Sequence, residues 1–202
     1  MHGVPMRKVW LLVLLALAAT YVWRRCTPIQ HAPVVLQEEP RQVDFTAAQA
    51  AIQMDGWTLK PLATFSMKAR VLGITRYDDG PPSKLAPYDL ALGWGPMSDT
   101  GVLERLNIRQ SNRFYHWTYW GKPPVPEKDI ISHSTNAHII PAGEGVLLKL
   151  KSLREGSLIQ LAGVLVEATH PQAEKPWRSS LSRTDAGEGS CEIIYVKSLV
   201  EE

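Results

Sequence analysis

Cysteine is scarce in this sequence: only Cys26 and Cys191 occur among 202 residues, at opposite ends of the chain. A disulfide framework needs several regularly spaced cysteines, and a paired-cysteine zinc site needs two close pairs, so the sequence predicts neither. In an oxidising compartment the two cysteines could form one disulfide. Because Cys26 precedes the predicted domain, we favour a buried free thiol at Cys191.

Excess positive charge is also lacking, with 22 Lys and Arg against 20 Asp and Glu. Four of these cations (Arg7, Lys8, Arg24 and Arg25) lie within residues 1–31, which contain no acid. Removing four from 22 leaves 18 basic against 20 acidic side chains, a charge of −2 for the rest of the chain. Because that balance exerts no general attraction on nucleic acid, we expect no nucleic-acid partner.

Catalytic and metal-binding motifs are missing as well. The sequence has no Gly-x-Ser-x-Gly, Ser-x-x-Lys, His-Glu-x-x-His or EF-hand pattern. His133 and His138 are five residues apart, which places them on opposite faces of a strand or roughly 140° apart on a helix. We therefore predict no metal, no cofactor and no catalytic residue. The alternative is a hydrolase or lyase with an active site around Asp89, Asp99, His133 and His138.

One long apolar run is present, from Val9 to Trp23. At ~1.5 Å per residue its helix would span roughly 22 Å, against a hydrocarbon core of ~30 Å. The run ends in aromatics and arginines, which favours an uncleaved signal anchor over 9–25. We therefore predict a bacterial inner-membrane protein with residues 1–8 in the cytoplasm and the remainder in the periplasm. The alternative is secretion after cleavage near Ala18.

The remaining chain is predicted to form a linker and one domain. Prolines make residues 26–43 an extended linker, and 44–202 is expected to be a single extracytoplasmic α+β domain. Alternating apolar and polar residues predict a mostly antiparallel sheet, and two short helices are expected near 46–54 and 99–107. The C-terminal third is expected to be barrel-like, with a strand at Val146–Leu150.

Aromatic and titratable side chains alternate most densely between Leu85 and Ala142, as in a binding cleft or a compact core. Asp89 lies in an apolar run, where a buried carboxylate needs a partner. Arg113 is the best-placed cation and Arg109 the reserve, so we predict a structural ion pair between Asp89 and Arg113.

The predicted function is a membrane-anchored, non-enzymatic periplasmic module that binds a partner protein or an envelope ligand. The aromatic strand FYHWTYW and the long loop before Cys191 supply most of the candidate contacts. The ligand-binding candidates are Trp94, Asp99, Tyr115, Trp117, His133, Asn136, His138, Arg183 and Asp185.

Two stretches resemble known proteins. The rhythm of REGSLIQLAGVLVEA, within residues 146–168, resembles the strand pairs of OB-type barrels. That resemblance implies an OB-type nucleic-acid binder as a further alternative function. The segments DLALGWGPMSD and HIIPA are similar to those of uncharacterised bacterial single-pass membrane-anchored proteins, a resemblance that implies no function.

Overall fold

The computed structural model describes residues 6–29, 35–185, 187 and 189–202. A short 3₁₀-helix spans Gly95–Ser98. The other elements in chain order are α1 (Met6–Cys26), β1 (Arg41–Asp44), β2 (Ile52–Met54), β3 (Trp57–Arg76), α2 (Gly80–Leu85), β4 (Tyr88–Gly93), α3 (Thr100–Leu103), β5 (Leu106–Ser111), β6 (Phe114–Tyr119), α4 (Glu127–Ser132), β7 (Ser134–Pro141), α5 (Glu144–Ser152), β8 (Leu158–Thr169), β9 (Trp177–Arg178) and β10 (Glu192–Glu201).

Five strands close into a barrel. The 20-residue β3 pairs antiparallel with β8 along its first two thirds and with β4 near its end. β4 then pairs with β7, β7 runs parallel to β10, and β10 returns to β8. The order β3-β4-β7-β10-β8 therefore ends where it began, and along the chain α5 lies between β7 and β8.

The barrel interior is filled from every strand because side chains alternate between the two faces of a strand. On β3, the buried residues Phe65, Met67, Ala69 and Val71 alternate with more exposed polar residues. They join Leu90, Leu92, Ala137, Ile139, Ile159, Leu161, Leu165, Ile194 and Val196 in one cluster, together with Val146, Leu150 and Leu153 of α5 and the segment after it.

Two further apolar clusters cover outer faces of the same strands. One is built on Trp57, Ile140 and Val166 and includes the half-buried Trp177. In the other, β5 and β6 form a separate two-stranded hairpin whose residues Ile108, Tyr115 and Trp117 pack against Leu72, Ala91, Met97 and Ile130. The hairpin thus stands over the outer face of β4 and β7.

The prediction of only two short helices after the N-terminal one is wrong, since four α-helices follow α1 in the described part of the chain. The helix expected at 46–54 is absent, and Ile52–Met54 forms a strand instead. Asp55 and Gly56 both have positive φ and make a two-residue hairpin turn that pairs β2 with the start of β3. The helix expected at 99–107 is limited to Thr100–Leu103.

The strand predicted at Val146–Leu150 is also wrong, because these residues belong to α5. Val146 and Leu150, four residues apart, are buried on one helix face, whereas Leu148 between them is 56% exposed. Glu144 in the first turn and Lys149 in the last turn suit the helix dipole. A short apolar run does not by itself distinguish a helix from a strand.

The predicted signal anchor over 9–25 is contradicted as well. No helix among the described residues combines the length and apolarity that a membrane crossing requires. Helix α1 reaches 21 residues only by including Arg7 and Lys8 at one end and Arg24 and Arg25 at the other. This finding corrects the transmembrane segment and the single-pass inner-membrane localisation predicted from it.

The segment predicted as an extended linker contacts the barrel. The Ile29 amide donates to the Glu155 carbonyl at 2.8 Å, and the Leu36 amide donates to Ser98 Oγ at 2.8 Å. Further along, β1 pairs antiparallel with β3. Residues 30–34 of this linker, and the side chain of Cys26, lie outside the described residues.

Candidate functional site

Asp89 and His138 face each other across β4 and β7 on the outer side of the barrel. The Asp89 carboxylate is fully buried, and its Oδ1 lies 2.9 Å from His138 Nδ1. An ionised carboxylate only accepts hydrogen bonds, so Nδ1 carries the proton and donates. Asp89 Oδ2 is buried without a hydrogen-bond partner in the described chain.

Arg113 supplies the second donor to the same carboxylate. Its Nη1 donates to Asp89 Oδ1 and to the Ala86 carbonyl, both at 2.8 Å, and its Nη2 donates to Ser83 Oγ at 2.7 Å. The guanidinium also packs over the ring of Tyr77, 3.9 Å from its centroid. These contacts hold the tip of the β5–β6 hairpin against the barrel. Arg109, the reserve candidate, is exposed on β5.

A cleft of about 580 Å³ opens beside this ion pair. Its walls carry three aromatic residues and three cations, whereas no carboxylate lines it among the described residues. The lining residues are Trp57, Pro82, Arg113, Phe114, His138, Ala173, Lys175, Pro176, Trp177, Arg178, Gly189 and Cys191. We call this space the aromatic cleft.

His138 lines the aromatic cleft, with 3% of the residue exposed. Its ring packs against Trp177, with centroids 4.7 Å apart. While Nδ1 donates to Asp89, Nε2 makes no hydrogen bond within the described chain. A neutral His138 therefore offers a hydrogen-bond acceptor to whatever enters the cleft.

A second cavity of about 270 Å³ brings together four of the predicted candidates: Tyr115, Trp117, Asn136 and Asp185. Asn136 Nδ2 donates to the Arg113 carbonyl at 3.0 Å, so this cavity is tied to the same hairpin turn. Burial raises the pKa of Tyr115 to about 12, which keeps its phenol neutral.

Phe114 and Cys191 line both cavities and form the wall between them. Cys191 is a half-buried free thiol. Burial raises its pKa to about 11, whereas a nucleophilic cysteine needs a lowered pKa. Cys191 is therefore a wall residue rather than an activated nucleophile.

Arg183, another candidate, is held by the buried carboxylate of Glu192. Arg183 donates to Glu192 and to Gln42, and Glu192 also accepts from the Thr135 hydroxyl. Burial raises the pKa of Glu192 to about 7, against the opposing effect of Arg183. The nearby Asp185 accepts from Ser180 Oγ at 2.6 Å. Arg183 thus joins the loop before β10 to the barrel.

Three further candidates, like Arg183, line neither cavity. Trp94 is 1% exposed and donates through Nε1 to Glu39 at 2.8 Å. Asp99 caps α3 by accepting from the Gly101 amide at 2.7 Å. His133 Nε2 lies 3.5 Å from Glu39. Of the four residues in the alternative active site, only Asp89 and His138 therefore meet.

Sequence reasoning missed several lining residues of the aromatic cleft. Phe114 and Trp177 lie in stretches predicted to serve recognition, but neither was among the individual candidates. Trp57, Lys175 and Arg178 carried no distinguishing signal, since Trp57 joins the others only through the long pairing of β3 with β8.

No group of three or more His, Cys, Asp or Glu that could hold a metal ion occurs among the residues that the structure describes. Comparison of the chain with protein-family models, with characterised proteins and with solved structures found no match.

Proposed function

We propose that this protein is a non-enzymatic binding module that holds part of a partner in the aromatic cleft. The observation that carries the proposal is the lining of that cleft, which combines Trp57, Phe114 and Trp177 with cations and no described carboxylate. Binding sites are typically apolar walls with a few placed polar groups. Here the cleft lies on a closed barrel, and the Asp89–Arg113 ion pair holds the hairpin turn that precedes the wall residue Phe114.

The state of the titratable groups supports a binding role over a catalytic one. The carboxylate of Asp89 is fully buried, with Oδ1 held by Arg113 and His138 and Oδ2 enclosed by the protein, so a substrate cannot reach it to give up a proton. The Cys191 thiol is neutral near pH 7 because burial raises its pKa. Asp99 and His133 bond elsewhere, which leaves His138 without a nucleophile within hydrogen-bond distance in the described chain.

The strand order of the barrel supports a second candidate, an OB-type barrel that binds single-stranded nucleic acid. OB-type barrels are five-stranded Greek-key barrels that bind ligands on their second and third strands and on the loops after the first and fourth. Numbered in chain order, the barrel strands are β3, β4, β7, β8 and β10, so β4 and β7 are the second and third. The aromatic cleft lies between the loops that follow β3 and β8, where Pro82 and Trp177 line it.

Binding to three unlabelled probes tests the proposal, followed through the indole ¹H–¹⁵N signal of Trp177. The probes are an acidic pentapeptide, a twelve-residue thymidine oligonucleotide and a neutral glucan oligomer. We expect at least one probe to shift the signal saturably, and Phe114→Ala to weaken that binding about tenfold, because aromatic anchors dominate interfaces. Trp120→Ala is the matched control, since Trp120 is 98% exposed and lines neither cavity.

Two results contradict the proposal. One is the absence of saturable binding by all three probes. The other is turnover of p-nitrophenyl acetate or p-nitrophenyl phosphate that His138→Ala abolishes, which would favour the hydrolase alternative.

A further inference from the structure

The short strand β9 forms one edge of the sheet beside the aromatic cleft. Trp177 and Arg178 pair with Ala168 and Glu167 of β8 on one side only. On the other side β9 has no strand partner in the described chain, but the Ser180 amide just after it donates to the Cys191 carbonyl at 3.0 Å, so the free edge ends at Arg178. An edge strand presents free N–H and C=O groups, which an extended peptide can use to add a strand.

The side chains around this edge determine which side chains an added strand must carry. Trp177 is half-buried, and Phe114, which lines the same cleft, is 37% exposed. Together they offer apolar surface for one large side chain. Because side chains two positions apart share one face of a strand, an acidic residue two positions from that side chain faces the cleft, where Lys175 is exposed.

The number of cleft cations that lack a carboxylate partner favours a peptide over a nucleic acid as the ligand. Among the three cations that line the cleft, Arg113 is paired with Asp89 at 2.8 Å and Arg178 with Glu167 at 2.6 Å. Lys175 has no carboxylate partner in the described chain. A phosphate backbone carries one charge per nucleotide and needs several cations, whereas a peptide with one or two acidic residues needs few.

We infer that the aromatic cleft takes an extended segment of a partner protein, added as a strand to the free edge of β9, with one apolar side chain and an acidic residue two positions from it. This inference rests on the proposed binding function and names its partner. The apolar side chain packs against Trp177 and Phe114, and the carboxylate pairs with Lys175. His138 Nε2 accepts a hydrogen bond from a polar hydrogen of the segment.

Fluorescence anisotropy with a labelled probe tests the inference. The probe is Glu-Val-Phe-Val-Glu-amide with fluorescein attached through a Gly-Gly spacer at its amino end, titrated with the full chain. We expect saturable binding that Lys175→Glu weakens about fivefold or more, because a rim charge pair becomes a repulsion. Lys149→Glu is the matched control: it makes the same charge change on the exposed face of α5 and should leave binding unchanged.

Two altered peptides test the mode of binding. Replacing both glutamates by lysines should weaken binding about fivefold or more, because the peptide loses its carboxylate partner for Lys175 and is repelled by that charge instead. Methylating alternate backbone nitrogens on the edge that faces β9 should weaken binding about tenfold, because the added strand loses its donors. Methylation on the opposite edge is the control.

The contrary results separate failure of the inference from failure of the proposed binding function. Equal binding of the lysine peptide, equal effects of Lys149→Glu and Lys175→Glu, or insensitivity to methylation would overturn the inference. Binding of the thymidine oligonucleotide in place of the peptide, if lost in Phe114→Ala, would also overturn it while leaving the proposed binding function standing. Failure of every probe would contradict both.

Discussion

Arg113 reaches the buried carboxylate of Asp89, Nη1 to Oδ1 at 2.8 Å, from the second position of a hairpin turn with a φ of 67°. Asn112 before it has a φ of 52°, so both turn residues adopt the left-handed conformation of a type I′ turn. The turn of the β5–β6 hairpin therefore directs the guanidinium of Arg113 toward Asp89, the only acidic residue of β4. Together with the apolar packing of the hairpin, this contact couples the hairpin to the barrel and positions Phe114, which lines both cavities.

The first prediction concerns the energetic coupling of this pair. Asp89→Ala and Arg113→Ala should each lower the free energy of unfolding by about 3–5 kcal/mol, because the remaining partner loses its main counter-charge. The double variant should be less destabilised than the sum of the two. Urea unfolding of the three variants measures the coupling. A stable Asp89→Ala protein that has lost binding would instead assign Asp89 a direct role in binding.

The second prediction separates the turn conformation from the ion pair. Arg113→Gly and Arg113→Ala both remove the guanidinium, but glycine adopts a positive φ without the strain that a Cβ causes. The glycine variant should therefore be more stable than the alanine variant by about 1 kcal/mol. Thermal melting compares them, with Asn112→Gly as a control that changes little, since asparagine tolerates this conformation. Equal melting temperatures for the two Arg113 variants would contradict the strained turn.

The third prediction concerns the pH dependence of stability through Glu192. Its pKa rises from an ordinary value of 4.5 to about 7 in the folded protein. A raised pKa means that the folded state holds the proton more tightly, so this contribution is complete below about pH 4.5 and is lost as pH rises through 7. Wild type should therefore lose up to about 3 kcal/mol over this window relative to Glu192→Gln.

Urea unfolding between pH 4.5 and 8 measures this difference. Glu174→Gln is the control, because Glu174 is exposed and should leave the pH profile of wild type unchanged. Parallel pH profiles of wild type and Glu192→Gln would show that Glu192 titrates normally.

The fourth prediction distinguishes helix from strand at α5. Leu150→Ala should cost about 2–5 kcal/mol, because Leu150 is 1% exposed in the barrel core. Leu148→Ala should cost less than about 0.5 kcal/mol, because Leu148 is 56% exposed. In a strand the two residues would face the same side, and the two variants would be similarly destabilised. Unfolding curves of the two variants therefore discriminate between the two structures.

The limits of sequence reasoning are clearest where a local pattern allows two structures. Val146–Leu150 is apolar enough for a strand, and only packing against the open end of the barrel makes it a helix with one buried face. The Thr46–Gln49 capping pattern predicts a helix, but the Asp55-Gly56 turn commits the following residues to a hairpin. Tertiary pairing overrides local propensity in both cases.

The N-terminal apolar run is another case in which a local sequence pattern gave a wrong prediction. Its composition and flanking arginines predicted a signal anchor. The helix that forms includes those basic residues at both ends, and the described chain contains no helix suited to cross a membrane.

What the sequence determined by itself was local: the alternation along β3, the burial of Asp89 within an apolar run, and the need of that carboxylate for a cation. These follow from side-chain periodicity and from the cost of burying an unpaired charge. Only the tertiary structure decided which residues share a cavity. Trp57 and Trp177, 120 positions apart, line one cleft because β3 and β8 pair along their length and close the barrel.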